Sequence, residues 1–260
     1  MKKFSFTLLT AFLCLLFSIS SSGSIRAQVE GVKLSDHLTL KHVIGVSEKP
    51  GIFRMAAQDG SNFFPMYQQG LAVSQDGTIF VGDSAESQIE IFSKENESIG
   101  NFGSIGSSDG SFQYLTSFII NQNNQIVAVD SYLGKVSVFS KEGEFVRSFG
   151  EKGSDNNQLD TPAGIIELSN NEYLIADFVN GLKVYTQSGE FSKNFSQDTE
   201  AESTGNTVAG FSNVAMDNNQ IVYVVKNDLS IGIAQILKFK TNGEFIGQAF
   251  NESNQDSIDS

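Results

Sequence analysis

Short apolar runs bounded by polar turns recur along this chain with a period of about 47 residues. Three of these runs end in an aspartate, and the aspartates are spaced 47 residues apart: Asp83, Asp130 and Asp177. A fourth run continues the register 48 residues later, with Val225 in place of the acid. Repeats of this length indicate that one structural unit is copied several times along the chain.

Aromatic residues mark each repeat at two further positions. The first follows each aspartate by eight or nine residues and holds Phe92, Phe139 and Tyr185. The second closes the repeat and holds Phe102, Phe149, Phe195 and Phe250. Large apolar side chains are mostly buried in folded proteins. We therefore predict that these positions, like the aspartates, have structural roles in the repeat.

The second repeat has the pattern of four short strands separated by turns. We predict these strands at 118–121, 126–129, 135–140 and 145–149. The third alternates polar and apolar residues, as a half-buried strand does, and the second is continuously apolar, like a central strand. Four antiparallel strands in each unit predict an all-β fold, a β-propeller with four recognisable blades. A β-solenoid has a shorter coil, and a β-sandwich has no reason to repeat at this interval.

The extent of the repeats predicts the domain organisation. The propeller should occupy 66–250, after an N-terminal strand and irregular segment at 28–65 and before a polar tail at 251–260. Only four repeats align where the length has room for about five, so we predict a ring that is incomplete or closed in an unusual way. Three alternatives stay open: a strand at 38–45 pairs beside 235–250, two chains close the ring together, or the sequence is a fragment of a longer gene.

The N-terminus has the layout of a secretory signal peptide at residues 1–27. Lys2 and Lys3 provide a positive start, an apolar run follows, and small residues lead to Ala27. The apolar run is short for a membrane-spanning helix, and Cys14 lacks the small preceding residue that a lipidation site requires. We therefore predict an exported protein, periplasmic or secreted, that is at most peripheral to a membrane.

Composition narrows the range of partners. The chain carries 30 Asp and Glu against 17 Lys and Arg, a formal net charge of −13. This surplus argues against nucleic acid, because neutralising phosphate needs clustered Lys and Arg. Hydrophobic residues make up 40% of the chain, which is enough for a sizeable core. A single cysteine excludes a disulfide framework, so the core must hold the fold.

The repeats also share features with a known family. An apolar strand ends in Asp, an aromatic residue follows, and a Gly-Glu-Phe segment leads to a closing Phe; the third repeat adds Pro162-Ala163-Gly164 and the strand Gly164–Leu168. This pattern resembles the NHL repeat over about residues 66–250. The resemblance implies five or six blades that serve as a binding platform, and in some relatives a metal-dependent lyase or lactonase.

The three aspartates would form a ring at equivalent places in the blades, so a metal or catalytic site is one interpretation of them. A residue that recurs in every blade more often serves the blade itself. We therefore predict that each carboxylate accepts backbone N–H groups in the loop after the second strand, as aspartate does in turns.

The repeats offer little support for catalysis. The two histidines, His37 and His42, precede the repeats, and a zinc site needs three or four ligands. The resemblance implies that propeller lyases use histidines within the repeats, which contain none here. Lactonase-like relatives hold a divalent cation with oxygen ligands near the axis, where Glu167 and Asn121 could reach, so a calcium site stays open. We predict no catalytic residue, no cofactor and no enzymatic activity.

The loops after the second strands and the connectors between blades should share one face of the propeller. Together they hold 12 Asp and Glu against two Lys. The segments are 83–87, 103–116, 130–134, 150–163, 177–181, 196–211 and 225–234. Long loops on a rigid scaffold carry binding, although an acidic surface also serves solubility.

From this face we predict a binding or scaffolding module. Its partner would be a protein or a small ligand, and the acidic surplus favours a cationic one. The alternative function is a metal-dependent hydrolase or lactonase with a divalent cation on the axis.

Overall fold

The structure is a computed structural model that describes residues 70–83, 86–196, 209–228 and 233–249. Within these ranges the chain forms sixteen β-strands in four antiparallel sheets of four strands each. The strands of every sheet follow one another in chain order, so each sheet corresponds to one sequence repeat. The predicted all-β fold of four-stranded antiparallel blades is confirmed.

The first and second blades contain eight of the strands. Their bounds are β1 Leu71–Val73, β2 Ile79–Asp83, β3 Gln88–Phe92, β4 Ser98–Phe102, β5 Leu115–Ile120, β6 Ile126–Asp130, β7 Lys135–Phe139 and β8 Phe145–Phe149. The third and fourth blades contain the others. Their bounds are β9 Pro162–Glu167, β10 Tyr173–Asp177, β11 Gly181–Tyr185, β12 Phe191–Asn194, β13 Ala209–Met216, β14 Ile221–Asp228, β15 Ile233–Lys240 and β16 Phe245–Gln248.

The ends of β5, β6 and β7 differ from the predicted ones, those of β5 and β6 by one residue at Ile120 and Asp130. Local contacts account for the start of β5 and the end of β7. β5 begins at Leu115, three residues earlier than predicted, because a register shift near Thr116 lets the ladder with β6 continue. β7 ends at Phe139 because Ser140 starts a turn, in which the Gly143 N–H donates to the Ser140 carbonyl at 3.0 Å. A β-bulge such as the register shift in β5 adds one residue to the strand, and the residues after it still bury the same side.

Aromatic residues from neighbouring blades form the core between them. In each pair, the closing phenylalanine of one blade contacts the third-strand aromatic residue of the next. The ring-centroid distances are 4.9 Å (Phe102–Phe139), 5.4 Å (Phe149–Tyr185) and 5.9 Å (Phe195–Phe239). The third-strand rings are at most 3% exposed in all four blades. The aromatic landmarks of the sequence are therefore the residues that pack one blade on another.

A glycine in the turn before the outermost strand makes room for the closing phenylalanine. Gly143 has a φ of +90°, and a Cβ there would lie 2.6 Å from a ring atom of Phe102. Gly189 has a φ of +96°, and its Cβ would lie 2.5 Å from Phe149. Only glycine combines this left-handed conformation with so close an approach.

Part of the sequence-based interpretation lies outside the described residues. This part comprises the signal peptide at 1–27, the segment 28–65 with His37 and His42, the closing Phe250 and the tail 251–260. The ways of closing the ring therefore stay predictions. Where the structure describes the chain, it contains no helix long and apolar enough to cross a membrane.

Candidate functional site

The loops after the second strands meet the connectors between blades on one face of the molecule. Asp130 ends β6, and its Oδ2 accepts two N–H groups of the connector 103–114, at 2.6 and 3.2 Å. Its Oδ1 accepts two N–H groups of the loop 131–134, both at 2.9 Å. One carboxylate, only 1% exposed, therefore holds the connector and the loop side by side.

Asp177 makes the same set of contacts in the third blade. It accepts two N–H groups of the connector 150–161, at 2.7 and 3.1 Å, and two of the loop 178–180, at 3.0 and 2.9 Å. Burial raises the pKa of Asp177, and these N–H groups oppose the rise. Asp83 is also buried, and its Oδ1 accepts the Glu86 N–H at 3.1 Å. The three aspartates thus point into their loops and do not face solvent.

The two described connectors have the same backbone structure. A parallel bridge joins Ile105 to Phe112 in the first and Lys152 to Leu159 in the second. Phe112 and Leu159 are 0% exposed, so each connector is anchored by a buried side chain. The second connector also contacts the loop 131–134 of the second blade. Gly134 lies so close to it that a Cβ at this position would collide with the Leu159 carbonyl. The connectors are therefore attached to the blades on both sides.

We call this surface the long-loop face, and we define its described part by residues. The segments are 86–87, 103–114, 130–134, 150–161, 177–181 and 225–228. Three large apolar side chains are exposed on it: Ile105 (68%), Tyr132 (65%) and Val179 (47%). Tyr132 and Val179 occupy the same position in neighbouring blades, two residues after the structural aspartate.

Sequence reasoning missed these exposed side chains because it searched the loops for charge. For Tyr132 and Val179, the available signal was an apolar residue two positions after an aspartate that ends a strand, in a stretch too short to be another strand. Rigid loops that expose large apolar side chains are typical of recognition surfaces.

The long-loop face carries less charge than the sequence count suggests. Of the 12 acidic residues assigned to it, three are the buried aspartates, and the three at 198–202 lie outside the described residues. Asp160 forms an ion pair with Lys152, whose Nζ is 2.9 Å from Asp160 Oδ1. The exposed carboxylates of the described part are Asp109, Glu151 and Asp155.

Asn121, one of the two candidates for an axial cation, stabilises a turn. It follows β5, and its Oδ1 accepts the N–H groups of Asn123 and Gln125 at 3.0 and 2.9 Å. Its Nδ2 donates to the hydroxyl of Tyr173 at 2.9 Å, which links the second blade to the third. Because two backbone donors already occupy the oxygen, the structure gives Asn121 no role as a metal ligand.

Glu167, the other candidate, ends the innermost strand β9 at the side opposite the long-loop face. Its Oε2 accepts the Gln122 N–H at 2.8 Å, and its buried Oε1 has no hydrogen-bond partner among the described residues. Burial raises the pKa of Glu167, and the Gln122 N–H opposes the rise. The equivalent positions of the other blades hold Val73, Ile120 and Met216.

A third carboxyl with a raised pKa lies in the first blade. Glu90 is 6% exposed, and its Oε1 accepts the side-chain amide of Gln88 at 2.7 Å. Burial, and to a lesser degree the charge of Asp83, raises the pKa of Glu90. Across the described ranges, no group of three or more His, Cys, Asp or Glu is placed to hold a metal ion.

The sequence matches the model of one protein family. Residues 68–223 match the family DUF5128, described as a 6-bladed beta-propeller. This span includes three of the four described blades and the first strand of the fourth. No curated protein matches the chain in sequence.

Solved structures show that the fold also occurs in other proteins. A putative gluconolactonase is 12% identical with a TM-score of 0.53, and the match covers 73% of this chain and 66% of that chain. Virginiamycin B lyase from Staphylococcus aureus is 12% identical with a TM-score of 0.48, covering 70% and 69%. A gluconolactonase from Xanthomonas campestris is 9% identical with a TM-score of 0.48, covering 70% and 63%. At sequence identities this low, the likeness between structures is evidence for the fold alone.

The prediction that this protein is not an enzyme is contradicted. It depended on the lack of histidine in the repeats and on the likeness of the blades to one another. A putative gluconolactonase shares the fold, and one fold can carry several chemistries. The missing histidines therefore do not exclude catalysis.

Proposed function

Because this chain belongs to the 6-bladed β-propeller family DUF5128, we propose that it binds a partner through its long-loop face. The observation that carries the proposal is the pair Tyr132 and Val179, exposed at equivalent positions of two blades. Their backbone N–H groups donate to Asp130 and Asp177 at 2.9 and 3.0 Å, so both side chains start from fixed points. Fixing loops before association lowers the entropy that binding costs.

The partner is a protein or a small ligand, and the exposed carboxylates favour a cationic one. We interpret the repeats as NHL-like, a type of blade whose motif residues are structural. We also propose that the protein acts outside the cytoplasm, since residues 1–27 have the pattern of a signal peptide.

A selection of phage-displayed random peptides on the purified protein would test this function. Peptides that bind are synthesised, and their dissociation constants are measured for the wild type and for Tyr132→Ser and Val179→Ser. Val146→Ser is a matched control, because Val146 is 48% exposed on β8, against 47% for Val179. Losing an anchor at an interface typically costs at least about 1 kcal/mol, roughly a fivefold loss of affinity. Peptides whose affinity depends on Val146 but not on Tyr132 or Val179 would refute the proposed face.

A second candidate function is a catalytic propeller that uses Glu167, and a specific observation favours it. Its Oε1 has no partner among the described residues, and its pKa is raised. A carboxyl of this kind can serve as a proton donor and acceptor, or as an oxygen ligand of calcium. The substrate class that follows from the structural neighbours is a lactone.

Hydrolysis of glucono-δ-lactone by the wild type and by Glu167→Gln, with and without calcium, would test this candidate. The wild type should hydrolyse the lactone faster than buffer, and Glu167→Gln should not. A bound calcium ion at a hundredfold excess over its dissociation constant should stabilise the fold by about 2.7 kcal/mol. Equal rates for wild type, variant and buffer, together with no thermal shift in calcium or EDTA, would exclude it.

A further inference from the structure

The connector 150–161 runs between Tyr132 and Val179 on the long-loop face. On one side, Lys152 Nζ donates to the Ser131 carbonyl at 3.4 Å, next to Tyr132. On the other, the side-chain amide of Asn180 donates to the Gly153 carbonyl at 2.7 Å, next to Val179. Two exposed apolar positions therefore flank one segment of backbone.

This connector is held in place by its own hydrogen bonds. The Leu159 N–H donates to the Glu151 carbonyl at 2.9 Å, and the Gln158 N–H donates to the Asp155 carbonyl at 2.9 Å. The buried side chain of Leu159 fixes the segment to the core between the second and third blades. The carboxylates of Glu151 and Asp155 thus project from a backbone that is ordered before any partner arrives.

The charge on this part of the long-loop face is negative and is not neutralised locally. Glu151 and Asp155 are exposed, and neither takes part in an ion pair within the part of the chain that the structure describes. The nearby ammonium groups are occupied elsewhere. Lys152 pairs with Asp160 at 2.9 Å, and the buried Lys183 donates to the Asn156 carbonyl and to Asn194 Oδ1 at 3.1 and 3.0 Å.

From this arrangement we propose that the partner is a basic peptide segment of another protein, an inference that rests on the proposed function. Its Lys or Arg side chains lie over Glu151 and Asp155, and its apolar side chains contact Tyr132 and Val179. The exposed ring of Tyr132 also offers a face for a guanidinium group. Negative charge on the connector disfavours anionic lipid and nucleic acid, and the flanking apolar positions favour a peptide over a bare polyamine.

Three synthetic peptides of equal length provide the probes: alternating Arg and Leu, alternating Arg and Ser, and alternating Glu and Leu. Dissociation constants are measured by fluorescence polarisation at roughly 0.05 M and roughly 0.5 M salt, a range over which exposed charges become screened. We expect the Arg–Leu peptide to bind at least about tenfold tighter than either other peptide at low salt, since two exposed charge pairs and the apolar contacts all contribute. Its affinity should fall steeply at high salt.

Two double variants test whether the carboxylates of the connector contribute to the affinity for the Arg–Leu peptide. Glu151→Gln with Asp155→Asn should weaken the Arg–Leu peptide by about fivefold to tenfold, since each exposed charge pair contributes up to about 1 kcal/mol. Glu142→Gln with Glu144→Gln removes two exposed carboxylates from the turn between β7 and β8, off the long-loop face, and should leave the affinity unchanged. Both double variants change exposed side chains only, and a circular dichroism spectrum checks their folding.

The outcomes separate this inference from the function on which it rests. Equal losses for the two double variants, or equal binding of the Glu–Leu peptide, would overturn the basic-peptide partner. If selected peptides still lose affinity with Tyr132→Ser and Val179→Ser in that case, the face binds a partner of different chemistry. If the two serine variants also have no effect, the proposed function itself fails.

Discussion

Replacing Gly143 by alanine should weaken the contact between the first and second blades. Gly143 lies in the turn before β8 with a φ of +90°, where an L residue with a Cβ is strained. The added Cβ would lie 2.6, 2.7 and 2.8 Å from three side-chain atoms of Phe102. Real Cβ atoms do not approach neighbours so closely, so either the ring of Phe102 or the turn must move.

The expected cost has two parts. Left-handed backbone costs a residue with a Cβ about 1–2 kcal/mol, and overpacking a filled site typically costs about 1–3 kcal/mol. We therefore expect Gly143→Ala to lower the free energy of unfolding by about 2–5 kcal/mol. Gly181→Ala is the matched control, because Gly181 has a φ of +85° and its Cβ would meet no atom within 4 Å. It should cost only the backbone part, about 1–2 kcal/mol.

Urea unfolding followed by circular dichroism would measure these free energies, with Phe102→Ala as a second background. In that background the ring that collides with the new Cβ is absent. The Cβ of residue 102, 2.8 Å from the new Cβ, remains, so Gly143→Ala should cost less here than in the wild-type background but not less than Gly181→Ala. The double-mutant cycle then isolates what the ring of Phe102 contributes to the contact between the two blades. Equal losses for Gly143→Ala and Gly181→Ala in the wild-type background would refute the reasoning, because the cost would then come from the turn alone.

Three further changes test other parts of the structure. Phe139→Ala should lower the free energy of unfolding by about 3–5 kcal/mol because the ring is buried between blades; Ile99→Ala, at a side chain 59% exposed, should change it by less than about 0.5 kcal/mol. Asp177→Ala should lower it by roughly 3 kcal/mol or more, since four part-buried N–H groups lose their acceptor, and amide exchange at 160–161 and 179–180 should quicken; unchanged exchange there would contradict the role of Asp177. Glu90→Gln should raise the free energy of unfolding at pH 7, because the raised pKa of Glu90 means that folding disfavours its ionised form. That advantage should shrink as the pH falls toward 4.5, the ordinary pKa of the group, and urea titrations at several pH values would show whether it does.

The fold was predictable because the residues that specify it recur at a regular spacing along the chain. Asp83, Asp130 and Asp177 recur at one spacing, and the aromatic positions that follow them set which residues meet between blades. A β-strand has a short repeat, and each blade copies the same four strands, so local patterns already specify the sheets. The end of β7 differed by one residue from the prediction because the turn at Ser140 competes with the ladder.

The candidate site depended on contacts that no local pattern contains. Asp130 accepts N–H groups from residues 16 and 17 positions earlier as well as from the loop after it, and only the assembled blade brings these donors together. Asn121 and Glu167 are both polar residues at the end of an innermost strand, yet their side chains have different surroundings. The amide oxygen of Asn121 accepts two N–H groups of its own turn, whereas Oε1 of Glu167 has no hydrogen-bond partner among the described residues. The count of acidic residues in the loops likewise could not separate carboxylates that point into the fold from those that point into solvent. Burial, pairing and pKa are set by neighbours from distant parts of the chain, and for that reason the tertiary structure alone decided which of these groups face solvent.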